Sequence, residues 1–205
     1  MTGVRSYGDP CGIARALDAV GERWALLVVR ELVLGPKRFT DLRAALGASP
    51  NVLSQRLGEL EAAGVVQRRN DRGALYELTA WGRELHPILL QLGRWGARGS
   101  GRPTGELSVD ALLLALESTF VPERAQRLRA TYELRLGDER FAIEVGGGVI
   151  AITRGSPRTA DAVIETDSET LRALAFGDRK LATAPVELSG DIPLAKAFFK
   201  LFARP

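Results

Sequence analysis

The chain has 205 residues, of which 45% are hydrophobic and 26% charged, values that exclude a wholly disordered chain and a collagen-like fibre. At roughly 150 residues per domain the length suits one large domain or two small ones, and no apolar run reaches the ~18 residues that span a bilayer. Net charge is +3, but residues 1–100 carry 14 Lys+Arg against 10 Asp+Glu and residues 101–205 carry 14 against 15, so the positive excess sits in the first half.

In that first half the apolar period is helical. Ile13, Leu17 and Val20 share a face, and Trp24, Leu27, Val28 and Leu32 form the next stripe, stopped by Gly35-Pro36. Thr40 is expected to cap a short helix carrying Leu42 and Leu46, closed by Gly47. Ser49-Pro50 is a capping hydroxyl followed by Pro at the first helical position, and Val52, Leu53, Leu57 and Leu60 make the stripe that follows. Gly64 closes it. Two short strands, 65–69 and 75–78, flank the turn-forming Asn70-Asp71-Arg72-Gly73. Thr79 then caps a helix carrying Leu85, Ile88, Leu89, Leu92 and Trp95, which Pro87 should kink or split.

Three Gly, one Pro and two small hydroxyl residues in 99–105 mark a linker. Domains are therefore expected over 1–98 and 106–205. The second half changes to an α+β pattern. Ser108 caps a helix, 132–136 and 141–145 alternate around Gly137-Asp138 as a hairpin, and 149–152 and 162–166 are strands. Helices are expected over 168–175 and 193–202, with a strand at 186–188 between them.

Helix, Gly-containing turn, helix over 40–64 is the layout of a helix-turn-helix, whose second helix enters the major groove. Ser49, Pro50, Asn51, Ser54, Gln55 and Arg56 are the expected groove residues. Gln suits adenine and Arg suits guanine or phosphate, and free amides at a helix N-terminus suit a phosphate. Arg38, Thr40 and the hairpin arginines Arg69 and Arg72 are expected on phosphates, the hairpin serving as a wing.

The stretch from Cys11 to Arg69 resembles the HxlR-type winged-helix transcription regulators. The matching marks include Gly21 with Trp24, Leu32 to Gly35, Arg38-Phe39, Leu53-Ser54-Gln55-Arg56-Leu57, Gly64, Tyr76, Leu78-Thr79 and Gly82. The resemblance covers about 8–98. It implies a mostly α winged helix-turn-helix that binds a partly palindromic double-stranded DNA operator as a homodimer, through the N-terminal segment and the helix after the wing. It also implies that Cys11 is a candidate redox sensor, the alternative being a small buried apolar residue near a dimer interface. Departures are the short wing, Gly12 after the cysteine and Glu22-Arg23 before the tryptophan.

The second half, over about 130–203, resembles the sterol-carrier-protein type 2 fold. The marks are the strand 162–166, Asp167-Ser168, Leu171, Leu174, Gly177, Gly190-Asp191 and a terminal helix with Leu194, Phe198 and Leu201. That resemblance implies an apolar ligand site, with Leu112, Leu116, Phe120, Phe141, Ile143, Leu171, Leu174, Phe198, Phe199 and Phe202 as lining or core residues. Phe198 and Phe202 are expected on one helix face.

An enzyme is not expected. One Cys and one His make a poor zinc site, His86 has no partners for a catalytic triad, and no phosphate-loop or dinucleotide fingerprint exists. No cofactor or metal is called for. The N-terminus lacks the apolar stretch of a signal peptide, so a cytoplasmic location away from membranes is expected. The favoured function is an operator-binding regulator modulated by an apolar small molecule. The alternative is a lipid-like ligand binder or carrier whose helical domain only dimerises.

Overall fold

The computed structural model describes residues 6–69, 74–99, 105–177 and 179–203. The wing turn with Arg72, and residues 100–104 of the expected linker, lie outside them. The chain divides into two compact units, Met1–Leu89 and Leu90–Pro205.

The first unit opens with α1 (Gly12–Val20) and α2 (Ala25–Leu32), followed by a two-residue strand β1 (Lys37–Arg38) that no period in the sequence announces. The next helix, α3 (Phe39–Leu46), starts two residues earlier than a cap at Thr40 would set it. Arg38 is its N-cap, and the Arg38 N–H donates to Asp41 Oδ2 at 3.2 Å. The expected cap at Thr40 is thereby corrected: the Asp41 carboxylate reaches back to the chain, and Thr40 Oγ1 only donates to Asp41 Oδ1 at 3.3 Å. Gly47 ends the helix at φ +63°, a left-handed conformation that glycine adopts without cost from a Cβ.

Helix α4 (Pro50–Ala62) is capped as its residues predict, with Val52 N–H donating to Ser49 Oγ at 3.4 Å. Strands β2 (Val66–Arg69) and β3 (Leu75–Leu78) pair antiparallel with Arg69 opposite Leu75, and β1 joins the other edge of β3. The core gathers Val28, Val29 and Leu32 of α2, Leu42 of α3, Leu53, Leu57 and Leu60 of α4, and Leu78 of β3.

Thr79 accepts from Gly82 N–H at 3.0 Å to cap a one-turn helix α5 (Ala80–Arg83), and its hydroxyl donates to Gly64 O at 2.7 Å. Glycine is required at 82, because a Cβ there would collide with the Val65 carbonyl oxygen. Helix α6 (Leu85–Ala97) follows after a break at Glu84. Pro87 thus falls in the first turn of α6, where its missing N–H is not needed.

The second unit is a five-stranded sheet with helices on one face. The strands are β4 (Arg129–Leu136), β5 (Glu139–Gly146), β6 (Val149–Arg154), β7 (Ala162–Thr166) and β8 (Glu187–Gly190). Their order is β6-β5-β4-β7-β8, antiparallel except for the β4–β7 pair. Tyr132 and Leu134 of β4, Phe141 and Ile143 of β5 and Ile164 of β7 point into the core at alternate positions. Besides the part of α6 from Leu90 on, the unit holds helices α7 (Val109–Thr119), α8 (Ser168–Ala175) and α9 (Ile192–Phe198), α7 packing on β6 and α9 on β7 and β8. The terminal helix is shorter than expected. It ends at Phe198, and Phe202 forms a β-bridge with Phe120 instead of sharing the helix face.

Candidate nucleic-acid interface

The outward face of α4 is built by default. Leu53, Leu57 and Leu60 turn inward, so Asn51, Ser54, Gln55 and Gly58 turn outward and are exposed, with Ser49 and Pro50 at the head of the helix. These residues are short and polar, so another molecule can approach the helix backbone closely. Gln55 Nε2 donates to Glu59 Oε1 at 2.9 Å, which fixes one orientation of its amide. Gly58 stands in mid-helix with nothing within 4 Å of where a Cβ would be. Gly58→Ala should therefore raise thermal stability, by about 0.5–1 kcal/mol, since the helix gains backbone order at no steric cost. A calorimetric melt checks it, and an unchanged or lowered midpoint would show that the position is constrained.

Arg56 departs from the sequence expectation. It was expected to face the groove, yet it is buried and paired with Glu59 and Glu22. The reason is its position: three residues after Leu53 and beside Leu57, it lies on the inward flank of the helix. Val52, expected in the apolar stripe, is 37% exposed in exchange.

The phosphate candidates are mostly where the sequence predicts surface. Arg38 and Thr40 are exposed at the head of α3. Arg69 is exposed on β2, with Nη1 donating to Glu77 Oε2 at 3.2 Å. Gln67 Nε2 donates to the other oxygen of Glu77 at 2.7 Å, and this bond, aided by Arg69, holds the Glu77 carboxyl below its usual range. Arg43 on α3 and Arg68 on β2 are also exposed, with no ion-pair partner among the described residues. The sequence signal for Arg43 is its place three residues after Thr40, off the face that Leu42 and Leu46 turn inward.

Lys37 takes a different part. Its Nζ lies 2.9 Å from Glu31 Oε2, and Arg30 Nη2 lies 2.8 Å from Glu31 Oε1, with the Glu31 side chain fully buried. The pair ties β1, and through it the edge of β3, to α2.

The helices away from this face carry unburied apolar side chains. Ile13 and Leu17 on α1, Trp81 on α5 and Ile88, Leu92 and Trp95 on α6 are exposed. No residue of α6 is fully buried, although the helix is largely apolar. A cavity of about 190 Å³ opens between Ala16, Ala19 and Val20 of α1, Val65, Trp81, and Leu85 and Ile88 of α6. Cys11 is an exposed free thiol at the N-cap of α1, its backbone N–H donating to Asp9 Oδ1 at 2.9 Å.

In the second unit the ten candidate ligand residues separate. Leu112, Leu116, Phe120, Phe141, Ile143, Leu171 and Phe198 are buried core. Leu174, Phe199 and Phe202 line a cavity of about 670 Å³ with Arg124, Leu128, Ala175, Ala197, Lys200 and Leu201. Arg124 Nη1 donates to Lys200 O at 3.0 Å and to Phe202 O at 2.6 Å, holding the C-terminal segment in the wall. Tyr132, whose ring centroid lies 5.1 Å from that of Phe198, is fully buried, its hydroxyl pushed up to about 12 chiefly by burial.

Among the described residues there is no cluster of metal-ligating side chains and no helix long and apolar enough to cross a membrane. Comparison with known proteins places the N-terminal part of the chain in a family. The family model for the HxlR-like helix-turn-helix matches residues 19–102. The HTH-type transcriptional regulator YvaP of Bacillus subtilis is 41% identical over 86 residues, 40% of this chain and 80% of that one. The regulator Rv3095 of Mycobacterium tuberculosis is 38% identical over 97 residues, 45% of this chain and 61% of that one, so less than two thirds of the mycobacterial relative is covered. The crystal structure of the redox regulator HypR in its oxidized form is 33% identical, with a TM-score of 0.42, over 46% of this chain and 100% of that one. These relatives are transcriptional regulators and not enzymes. Through its first unit the chain belongs to the HxlR-like helix-turn-helix family.

Proposed function

We propose that the protein is a transcriptional regulator that binds an operator as a homodimer and responds to an apolar small molecule held in its second unit. The observation that carries this is the outer face of α4: a Ser-capped, Pro-started helix whose exposed residues Asn51, Ser54 and Gln55 are short and polar. In this reading Ser49, Pro50, Asn51, Ser54 and Gln55 face the major groove, and Arg38, Thr40, Arg69 and Arg72 hold phosphates. The unburied apolar side chains of α1 and α6 support an isologous interface between two copies. The cavity bounded by Leu174, Phe199 and Phe202 supports an effector site of the sterol-carrier kind, in a domain extending over 106–205. An effector there shifts the DNA-binding equilibrium only as far as its affinity differs between the two states. The exposed thiol of Cys11 supports a second, redox input at the head of α1. A regulator of this kind works in the cytoplasm, where its DNA is.

Fluorescence anisotropy with a duplex selected by the protein from a random pool tests the reading. Gln55→Ala should cost about 1–3 kcal/mol on the selected duplex and little on a scrambled one. Arg72→Ala should weaken both alike and flatten the salt slope by about one. If no duplex binds in a salt-dependent way, the DNA reading is wrong. Displacement of an apolar fluorophore by fatty carboxylates would then favour the lipid-carrier alternative.

A further inference from the structure

Arg56 keeps only 10% of its side-chain surface, although Ser54 and Gln55 beside it are exposed. Its Nη1 pairs with Glu59 one turn on, and its Nη2 lies 3.7 Å from Glu22 Oε2. Its Nε is buried with no hydrogen-bonding partner among the described residues. A guanidinium drawn out of water against that cost is held by what it joins.

One of its partners comes from another element whose shape is tightly constrained. Glu22 stands in the corner between α1 and α2. A Cβ at Gly21 would lie 2.5 Å from Leu17 O, and Trp24 sits at φ +77°, a region bulky residues avoid. The Glu22 side chain itself is 56% exposed, so what it gives Arg56 at 3.7 Å is a partly solvated ion pair from a corner of fixed backbone. The corner also terminates α1, which itself packs against α4.

We infer that Arg56 is a positioning residue: it joins α4 to the α1–α2 corner through Glu22, sets how the outer face of α4 is presented, and touches no base. This rests on the reading of α4 as the DNA-reading helix. The two roles leave different marks. A contact with DNA belongs to Arg56 alone, and its loss removes a cation from the interface, which lowers the salt slope. A positioning contact is shared with Glu22, so losing either partner has the same effect and losing both adds nothing.

The test is a substitution cycle on the full chain: Glu22→Gln, Arg56→Gln and the pair. Each is titrated against a duplex of about three helical turns that the unsubstituted protein has selected from a random pool, and against a scrambled duplex. Each single variant should bind the selected duplex about three- to tenfold more weakly, the pair no more weakly than the worse single variant. Binding to the scrambled duplex and the salt slope should stay unchanged. Arg56→Lys keeps the charge but not the fork that reaches two carboxylates, and should behave as Arg56→Gln. The inference is overturned if Glu22→Gln binds normally while Arg56→Gln loses affinity and about one charge of salt slope. It is also overturned if both duplexes lose affinity together in proportion to a lowered melting temperature, as a bridge serving stability alone would give. If the unsubstituted chain selects no duplex, the DNA reading fails first and takes this inference with it.

Discussion

Glu31→Ala should destabilise the first unit by about 3–5 kcal/mol, the usual effect of removing one partner from a buried charge pair. The Glu31 side chain is 0% exposed, and both of its oxygens are engaged, one by Arg30 and one by Lys37. Taking the carboxylate away withdraws the anion that two cations share, while the Lys37 side chain keeps only 14% of its surface in water. The loss is a large part of the roughly 5–15 kcal/mol that a domain has in all. It should also be felt at a distance. Lys37 belongs to β1, which pairs with Tyr76 and Leu75 of β3, so amide exchange in β3 should quicken as the wing sheet loosens. Urea denaturation with hydrogen exchange measures both. A loss below about 1 kcal/mol would make the pair no more valuable than a surface salt bridge and would overturn the argument.

Phe198→Ala should cost the second unit about 3–5 kcal/mol, the range for removing a fully buried aromatic side chain. Its ring centroid lies 5.1 Å from Tyr132, 5.5 Å from Phe199 and 5.1 Å from Phe202, so it is the hub of the aromatic cluster under α9. The result separates core from cavity wall. Phe199 is only partly buried and lines the cavity of about 670 Å³, so Phe199→Ala should cost much less. Amide exchange of β4 and β5 reads the second unit separately, which a single denaturation curve of a two-unit chain does not. Equal, small losses for both variants would show that Phe198 is not packed as the structure has it.

How much of this was legible in the residues depends on how local the cause is. The start of α4 was, because Ser49 and Pro50 act within one turn of themselves. So were the ends of α3 and α4, where Gly47 and Gly64 take positive φ, and the antiparallel hairpins, the first from the turn-forming residues between its strands and the second from the alternation of 132–136 and 141–145. The family resemblance of the first unit rests on the same residues and is shared by its relatives.

The failures are equally specific. Strand β1 has two residues and no period; it exists because β3 offers it an edge and Glu31 anchors Lys37. The last helix ends four residues short of the expected Phe202, because the spacing of Phe198 and Phe202 fits a helix as well as it fits a helix followed by a bridge to Phe120. The ten apolar residues of the second unit were legible as buried but not as core or cavity, since hydrophobicity alone does not distinguish packing against protein from lining a space.

By itself, then, the sequence determined the longer helices and strands, the caps at Ser49, Thr79 and Ser108, and the polar outer face of α4. Those are matters of neighbours along the chain. Only the tertiary structure decided what Arg56 pairs with, that Lys37 serves the fold, and which of the phenylalanines meet a cavity. Each of those depends on a partner brought from elsewhere: Glu22 from the α1–α2 corner, Glu31 from α2, and the C-terminal segment that Arg124 holds in the cavity wall.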